Sequence, residues 1–432
     1  MTSGTPTSPP TAATADRFLR GLFDTAVAVA DPLAVIPDHL PPRPKGRLIV
    51  VGAGKASARM AEAVEAHYGP CEGLVITRYG YARPTQGIKI IEAAHPVPDA
   101  AGVAATVDML ALLGTAGPKD HVLALISGGG SALLCAPAFG LTLAEKQAIN
   151  AALLASGAPI GDMNVLRKHL SLVKGGQLAA AAAPAKMLSL MISDVPGDSP
   201  AAIASGPTVG DDSRAADALA IAERYGISLP DKARAGLAAG SSVRAVGDPA
   251  LATCDNRVIA APSQSLAAAA KAARAAGCDV QILGDDLEGE ARDLAAHHAG
   301  LARELRAKAH ENGRPMVLLS GGECTVTRRG SGVGGPNAEY VLAAALALDG
   351  AEGIHVLACD TDGVDGAAEV AGASVGPEVL HRAGAAGLSP TGALAENDAH
   401  TFFDQLSAQV VTGPTLTNVN DFRAFLILPM GG

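Results

Sequence analysis

Short apolar runs recur along this chain, and several end abruptly in glycine-rich turns. The clearest is HVLALISGGGSALL (121–134), where an apolar stretch stops at Ser127-Gly128-Gly129-Gly130-Ser131. Runs that are apolar throughout, with no alternation, predict strands buried on both faces, as in parallel sheets. The clearest is 122–126, and further strands, some with single polar residues, are expected at 47–51, 73–78, 88–92, 187–192, 257–261, 278–283, 316–319, 354–358 and 423–428. Between them the apolar residues take helical spacing, which predicts helices over 100–113, 143–155, 177–183, 263–276, 287–310 and 337–348. Before the first strand, Phe18, Leu22, Phe23 and Ala26 share one helical face, with Asp16 placed as N-cap, and a proline-rich loop spans 37–44.

Alternating β and α elements predict an α/β fold built on a doubly wound parallel sheet. From 214 to 247 the composition turns alanine-rich and polar, which sets a domain boundary near 245–255. The expected organisation is a disordered tail over 1–16, a larger Rossmann-like N-terminal domain over 17–250, and a smaller α/β C-terminal domain over 251–432. A cleft is expected between the two domains.

Composition narrows the function. The chain has 432 residues, 48% of them hydrophobic, with a net charge of −10 and no tryptophan. Length and hydrophobicity suit two or three packed domains. The acidic balance, with no basic patch, argues against nucleic-acid partners. No apolar run approaches a membrane span, and the N-terminus lacks the basic-then-apolar pattern of a signal sequence. The six cysteines stand singly, without zinc or CxxC spacing, as expected of buried thiols in a reducing cytoplasm.

The candidate chemistry gathers at the ends of predicted strands. Three glycines after 122–126 let a ligand approach the main chain, and free N–H groups over Ser127–Ser131 suit anionic oxygens. Gly52-Ala53-Gly54-Lys55 opens like a dinucleotide fingerprint but fails it. Its third glycine position is Ser57, and the second strand ends in Thr77-Arg78, not in an acid. What remains is Lys55 at the edge where α/β sheets hold ligands. Asp194 and Asp198 follow another strand and suit a general base or Mg²⁺. Asp362 and Asp365, in the turn 360–366, fit a phosphate-and-metal corner or a plain turn. Arg167, Lys168, His169 and Lys174 cluster within eleven residues, with Arg167 and Lys174 on one face if the helix runs through. His95, in a proline-flanked loop, is read as structural. Ser320-Gly321-Gly322-Glu323 echoes the first glycine turn. Together these features support phosphoryl transfer, which asks a protein to position reactants and stabilise charge.

Ten motifs in order resemble the MOFRL-type glycerate 2-kinases, some of whose bacterial members are labelled hydroxypyruvate reductase. They are GAGKAS (52–57), HPVPD (95–99), SGGGSALL (127–134), NVLRKHLSLVKGG (164–176), SDVPGD (193–198), SGPT (205–208), SGGE (320–323), GGPNAE (334–339), TDGVDG (361–366) and GPTLTNVND (413–421). The resemblance implies ATP, Mg²⁺, and phosphorylation of D-glycerate at its 2-hydroxyl. It implicates Lys55, Asp362 and an arginine in a GGRN motif, where this chain has Pro336. Leu416 likewise stands where many relatives have glycine. The site expected on both readings has Lys55, Asp194, Asp362 and Arg167 as catalytic residues. Gly54, Ser127, Gly128, Gly129, Gly130, Ser131, Lys174, Glu323 and Asn337 hold the nucleotide, and Asp194, Asp198 and Asp362 hold the metal. The alternatives are an NAD(P)H-dependent hydroxypyruvate reductase and a non-catalytic sugar-acid or nucleotide-binding protein. The expected partner is a small hydroxyacid, in the cytoplasm, and a homo-oligomer is allowed.

Overall fold

A computed structural model describes residues 8–366 and 368–429. The chain divides into two compact units, one formed by Pro32–Ile259 and the other by Met1–Asp31 together with Ala260–Gly432.

The first unit is organised around a six-stranded parallel sheet. Its strands are β1 (Leu48–Ala53), β2 (Glu72–Arg78), β3 (Ile88–Ala93), β4 (His121–Ile126), β5 (Lys186–Ile192) and β6 (Cys254–Ala260), in the order β3-β2-β1-β4-β5-β6. Strand β1 pairs with both β2 and β4, so Ala53 lies level with Ile126. The order reverses between these two strands, and the crevice above such a reversal is where open α/β sheets bind ligands. The central strands β1 and β4 are buried on both faces, which explains their unbroken apolar runs, whereas the edge strands β3 and β6 are partly exposed and carry charged residues. Ile49, Val51, Ala124 and Ile126 pack on one face with Met109 and Leu113 of the helix Ala100–Leu113. That helix starts at Asp99, whose carboxylate accepts the Gly102 N–H at 2.9 Å.

The second unit holds β7 (Asp279–Ile282), β8 (Gly289–Glu290), β9 (Met316–Gly322), β10 (Cys324–Thr325), β11 (Ile354–Asp360), β12 (Gly372–Val375), β13 (Gln409–Val410) and β14 (Asp421–Ile427). Its main sheet has the order β13-β12-β11-β14-β9-β7, with β8 and β10 forming a separate pair. Only β7 and β9 run parallel in the main sheet; its other pairings are antiparallel. The helices Ala15–Ala28 and Pro262–Ala275 cover one face, and Ala291–Asn312 and Pro336–Leu348 cover the other.

Four expectations change. The N-terminal helix, assigned to the first domain from its place in the chain, belongs to the second unit. Its apolar face packs there, with Phe23 and Phe422 ring centroids 5.9 Å apart, and the Ser265 hydroxyl donates to the Ala26 carbonyl at 2.7 Å. The expected tail over 1–16 ends early, in a 3₁₀ turn at Ala12–Thr14 and a helix from Ala15; residues 1–7 lie outside the described residues. The proline-rich loop begins only after a helix at Pro32–His39. Ser320–Gly322, expected as a second ligand turn, is part of β9 and pairs with β14. Among the described residues no helix is long and apolar enough to cross a membrane.

Replacing Phe23 by Ala removes a buried ring and costs about 3–5 kcal/mol. Hydrogen exchange should speed up in β9, β11 and β14 of the second unit and stay unchanged in β1–β5. Uniform loss of protection across both units would refute this assignment of the helix.

Candidate active site

The two sequence-remote turns GAGK and SGGGS meet because β1 and β4 are neighbours. The Lys55 N–H donates to the Gly128 carbonyl at 2.8 Å, and the Ser127 N–H to the Ala53 carbonyl at 3.2 Å. Buried hydroxyls brace the pair. Ser127 Oγ accepts the Ala56 N–H at 3.0 Å, Ser57 Oγ donates to the Leu125 carbonyl at 2.9 Å, and Thr77 Oγ1 donates to the Gly54 carbonyl at 3.1 Å. Thr77, where a dinucleotide fold would carry an acid, is thus committed to supporting the loop. Gly129 sits at φ +78°, and a Cβ there would lie 3.0 Å from the His95 ring and 3.3 Å from Lys55 Cγ. Glycine at this position therefore places both side chains beside the turn. Among the described residues the Gly128 and Gly129 N–H groups have no acceptor. Ser127 and Gly130, expected among the free donors, instead donate to the Ala53 and Ser127 carbonyls at 3.2 Å each, which narrows the candidate anion contact to the other two.

Ser131 does not cap a long helix. It lies inside a single turn, Gly130–Leu133, and its hydroxyl shares a hydrogen bond of 2.8 Å with Ser205. Ala204 and Ser205 both have left-handed backbone (φ +51° and +62°), and Ser205 also reaches Asn164. This constrained corner, in the SGPT motif, backs the glycine turn.

The basic cluster 167–174 divides into two roles. Lys168 pairs with Asp211, and His169 bonds Ser241 at 2.6 Å and Ser213 at 3.1 Å; both are structural. The helix ends at His169, so Arg167 and Lys174 do not share a helical face as expected. They still converge, because the chain doubles back through Gly175 and Gly176, whose N–H groups bond the Ser205 and Gly206 carbonyls. Lys174 Nζ, buried, donates to the carbonyls of Ser131 at 2.6 Å and Leu134 at 2.8 Å. It supports the turn from below, in place of the expected direct contact with nucleotide. Beside it Lys146, also buried, donates to the Leu170 carbonyl at 3.2 Å. Among the described residues neither these two lysines nor Arg167 has a carboxylate partner. Burial, with Lys146 and Arg167 alongside, pushes Lys174 down to about 7, and burial with Arg167 pushes Lys146 down to about 8.

A cavity of about 680 Å³ opens over the turn, lined by His95, Val97, Pro98, Gly129, Gln147, Asn150, Leu154 and Arg167. His95, expected to be structural, is one of its walls. Asp194 and Asp198 follow β5, next to β4 in the sheet. Asp198 carries a buried Oδ1 without a hydrogen-bond partner, a feature that fits a cation.

The acidic site residues of the second unit are firmly tied down. Asp365 caps the helix Pro336–Leu348 from a distance, accepting the Asn337 N–H at 3.0 Å and the Ala338 N–H at 2.8 Å, with His400 Nε2 3.0 Å away. Pro336 occupies the first helical position, where a missing N–H costs nothing. Asn337, expected to touch nucleotide, instead directs its amide inward to Asp421 at 2.7 Å. Asp421 is held in turn by Arg423, which donates to the Gly321 and Gly322 carbonyls at 3.0 and 2.8 Å. Asp362 is buried, with Oδ1 accepting the Val364 N–H at 2.8 Å. Glu323 is exposed. Leu416 adopts φ +65°, the conformation that glycine takes without cost. Among the described residues no three His, Cys, Asp or Glu side chains gather as a metal cage. The expected trio of Asp194, Asp198 and Asp362 is therefore not a ready-made protein-only site.

Lys146, Asn150 and Arg423 escaped sequence reasoning. Lys146 and Asn150 look like ordinary polar positions of an amphipathic helix, and nothing local distinguishes them.

Comparison with known proteins adds the family. A model described as "Domain of unknown function (DUF4147)" matches residues 18–238, and the MOFRL family model matches 316–421. A putative hydroxypyruvate reductase of Agrobacterium vitis is 52% identical, over 96% of this chain and 94% of its own length. The D-glycerate 2-kinase of Thermotoga maritima is 37% identical, over 91% and 95%. The crystal structure of a glycerate kinase from Thermotoga maritima superposes with a TM-score of 0.84 at 35% identity, covering 94% of this chain and 98% of that one.

The buried lysines carry a pH signature. Below pH 7 both ammonium groups are charged in the folded and unfolded chain alike, and the burial penalty applies in full. Between about 7 and 10.5 the unfolded chain binds more protons, so stability rises with pH. Lys146→Met removes one such charge. Relative to wild type, its melting temperature should be higher by a few degrees at pH 6.5 than the same comparison gives at pH 9.5, read by calorimetry. An equal difference at both pH values would refute the buried-charge account.

Proposed function

The chain belongs to the glycerate kinase family with a C-terminal MOFRL domain, and from that premise we propose that it transfers the γ-phosphoryl group of ATP, with Mg²⁺, to the 2-hydroxyl of D-glycerate, giving 2-phosphoglycerate. The observation that carries this reading is the pair of free N–H groups at Gly128 and Gly129, set beside Lys55 where the strand order reverses. Those donors suit the phosphate oxygens, with Gly54 and the rest of Ser127–Ser131 forming the backbone that holds them in place. Lys55 stabilises the charge that spreads over the transferred group. The 2-hydroxyl oxygen bonds to the γ-phosphorus as the bond to the bridging oxygen breaks, and Asp194 takes the hydroxyl proton. Arg167 pairs with the substrate carboxylate. Asp194 and Asp198 are the fitting carboxylates of this unit for Mg²⁺, which would supply charge neutralisation when bound. One or two carboxylates plus phosphate oxygens are enough for that ion. We place the reaction in the cytoplasm, which the unpaired cysteines suit.

Nicotinamide-dependent reduction of hydroxypyruvate is the second reading, favoured by the name that the 52%-identical relative carries. The commitment of Thr77 to the Gly54 carbonyl, at the position of the ribose-binding acid, weighs against it.

Incubation with ATP, Mg²⁺ and D-glycerate should release ADP and give 2-phosphoglycerate by ³¹P NMR. NADH and NADPH should stay unchanged with hydroxypyruvate, and their oxidation without ADP release would overturn the kinase reading. Lys55→Ala should lower kcat by about 10²–10³, as loss of one transition-state donor does. Near-normal turnover would remove Lys55 from the mechanism. Asp194→Asn should stay inactive at excess Mg²⁺ if Asp194 is the base, whereas recovery would make it a metal ligand.

A further inference from the structure

The large cavity over the glycine turn has a small neighbour. A second chamber of about 20 Å³, room for one water, shares Pro98, Ser131, Asn150 and Arg167 with it and is walled by Lys146 and Lys174. Three basic side chains thus line this inner chamber, Arg167 reaching the large cavity as well, with no carboxylate partner among the described residues, which favours an anion there. One further group is unmatched. Asn150 Oδ1 is buried and accepts no hydrogen bond. With three cations around it, the amide oxygen is the end that the local field turns inward. A carboxylate has no proton to offer that oxygen at neutral pH, so the complementary ligand carries both a carboxylate and a hydroxyl.

We propose that Asn150 is a specificity-determining residue that accepts a hydrogen bond from the non-reacting 3-hydroxyl of the substrate, while Arg167 takes its carboxylate and the Lys146–Lys174 pair, one chamber further in, adds favourable charge from behind. The acid then lies carboxylate-inward with its 2-hydroxyl toward the turn at Gly129. The Gln147 amide, which donates to the Pro98 carbonyl at 2.7 Å, ties the helix carrying Asn150 to the opposite wall and keeps the distance between them set. This rests on the glycerate kinase reading above. It also commits the chain to 2,3-dihydroxy acids over 2-hydroxy acids with a 3-methyl group. A buried acceptor built for a hydroxyl is left unpaired by the analogue that lacks it, and such sites discriminate strongly.

The test compares D-glycerate with D-lactate for wild type and Asn150→Ala, by kcat/KM with ATP and Mg²⁺ and by calorimetric titration of each acid without nucleotide. Wild type should prefer D-glycerate by at least about 100-fold, and Asn150→Ala should reduce the preference to less than about tenfold, chiefly by losing affinity for D-glycerate. Lys146→Met should weaken both acids by a similar factor, since it removes charge and no hydroxyl reader. An Asn150→Ala protein with a normal melting curve that keeps the preference would overturn the proposal, as would a Lys146→Met protein that loses it. Selective binding of D-glycerate that depends on Asn150, without phosphorylation, would uphold this inference and sink the kinase reading instead.

Discussion

Everything in the N-terminal unit depends on the pairing of β1 with β4. Those strands are far apart in the chain and adjacent in the sheet, and their ends carry the two glycine turns. Once Ala53 and Ile126 are level, the Lys55 and Ser127 N–H groups are used up in crossing from one turn to the other. The turns then hold each other in place, and Gly128 and Gly129 are left with donors facing outward. No residue in either turn produces that arrangement alone.

A second constraint is electrostatic. Among the described residues Lys146 and Lys174 sit in the interior bonded only to carbonyl oxygens, an arrangement that costs free energy at neutral pH. Lys174 bonds the carbonyls of Ser131 and Leu134 and so pulls the far end of the glycine turn inward. The same charge that supports the turn makes the adjoining cavity attractive to an anion. Support and recognition are thus one feature, and its cost to stability is intelligible only with the ligand in view.

The second unit spends its acids differently. Asp365, Asn337, Asp421 and Arg423 form a buried chain that joins the helix Pro336–Leu348 to β14 and to the backbone of β9. TDGVDG and GGPNAE, which read as ligand motifs, owe much of their character to this bracing. A proline fits at 336 because the position needs no N–H, and the capping oxygens come from Asp365, 27 residues beyond the capped Ala338.

What the sequence by itself determined is local or cumulative. Apolar runs marked the central strands of the parallel sheet, helical spacing marked the helix over 100–113, and ten motifs in order marked the family. Each such signal is carried by neighbours along the chain. The tertiary structure alone decided what depends on distant residues. It assigned the N-terminal helix to the C-terminal unit, because that helix buries Phe23 against Phe422. It separated Arg167 and Lys174 from Lys168 and His169, because the helix stops and the chain turns back. It turned Asn337 inward and brought Lys146 and Asn150 to the cavity, because a side chain's role follows from what packs around it and not from the spacing of its neighbours.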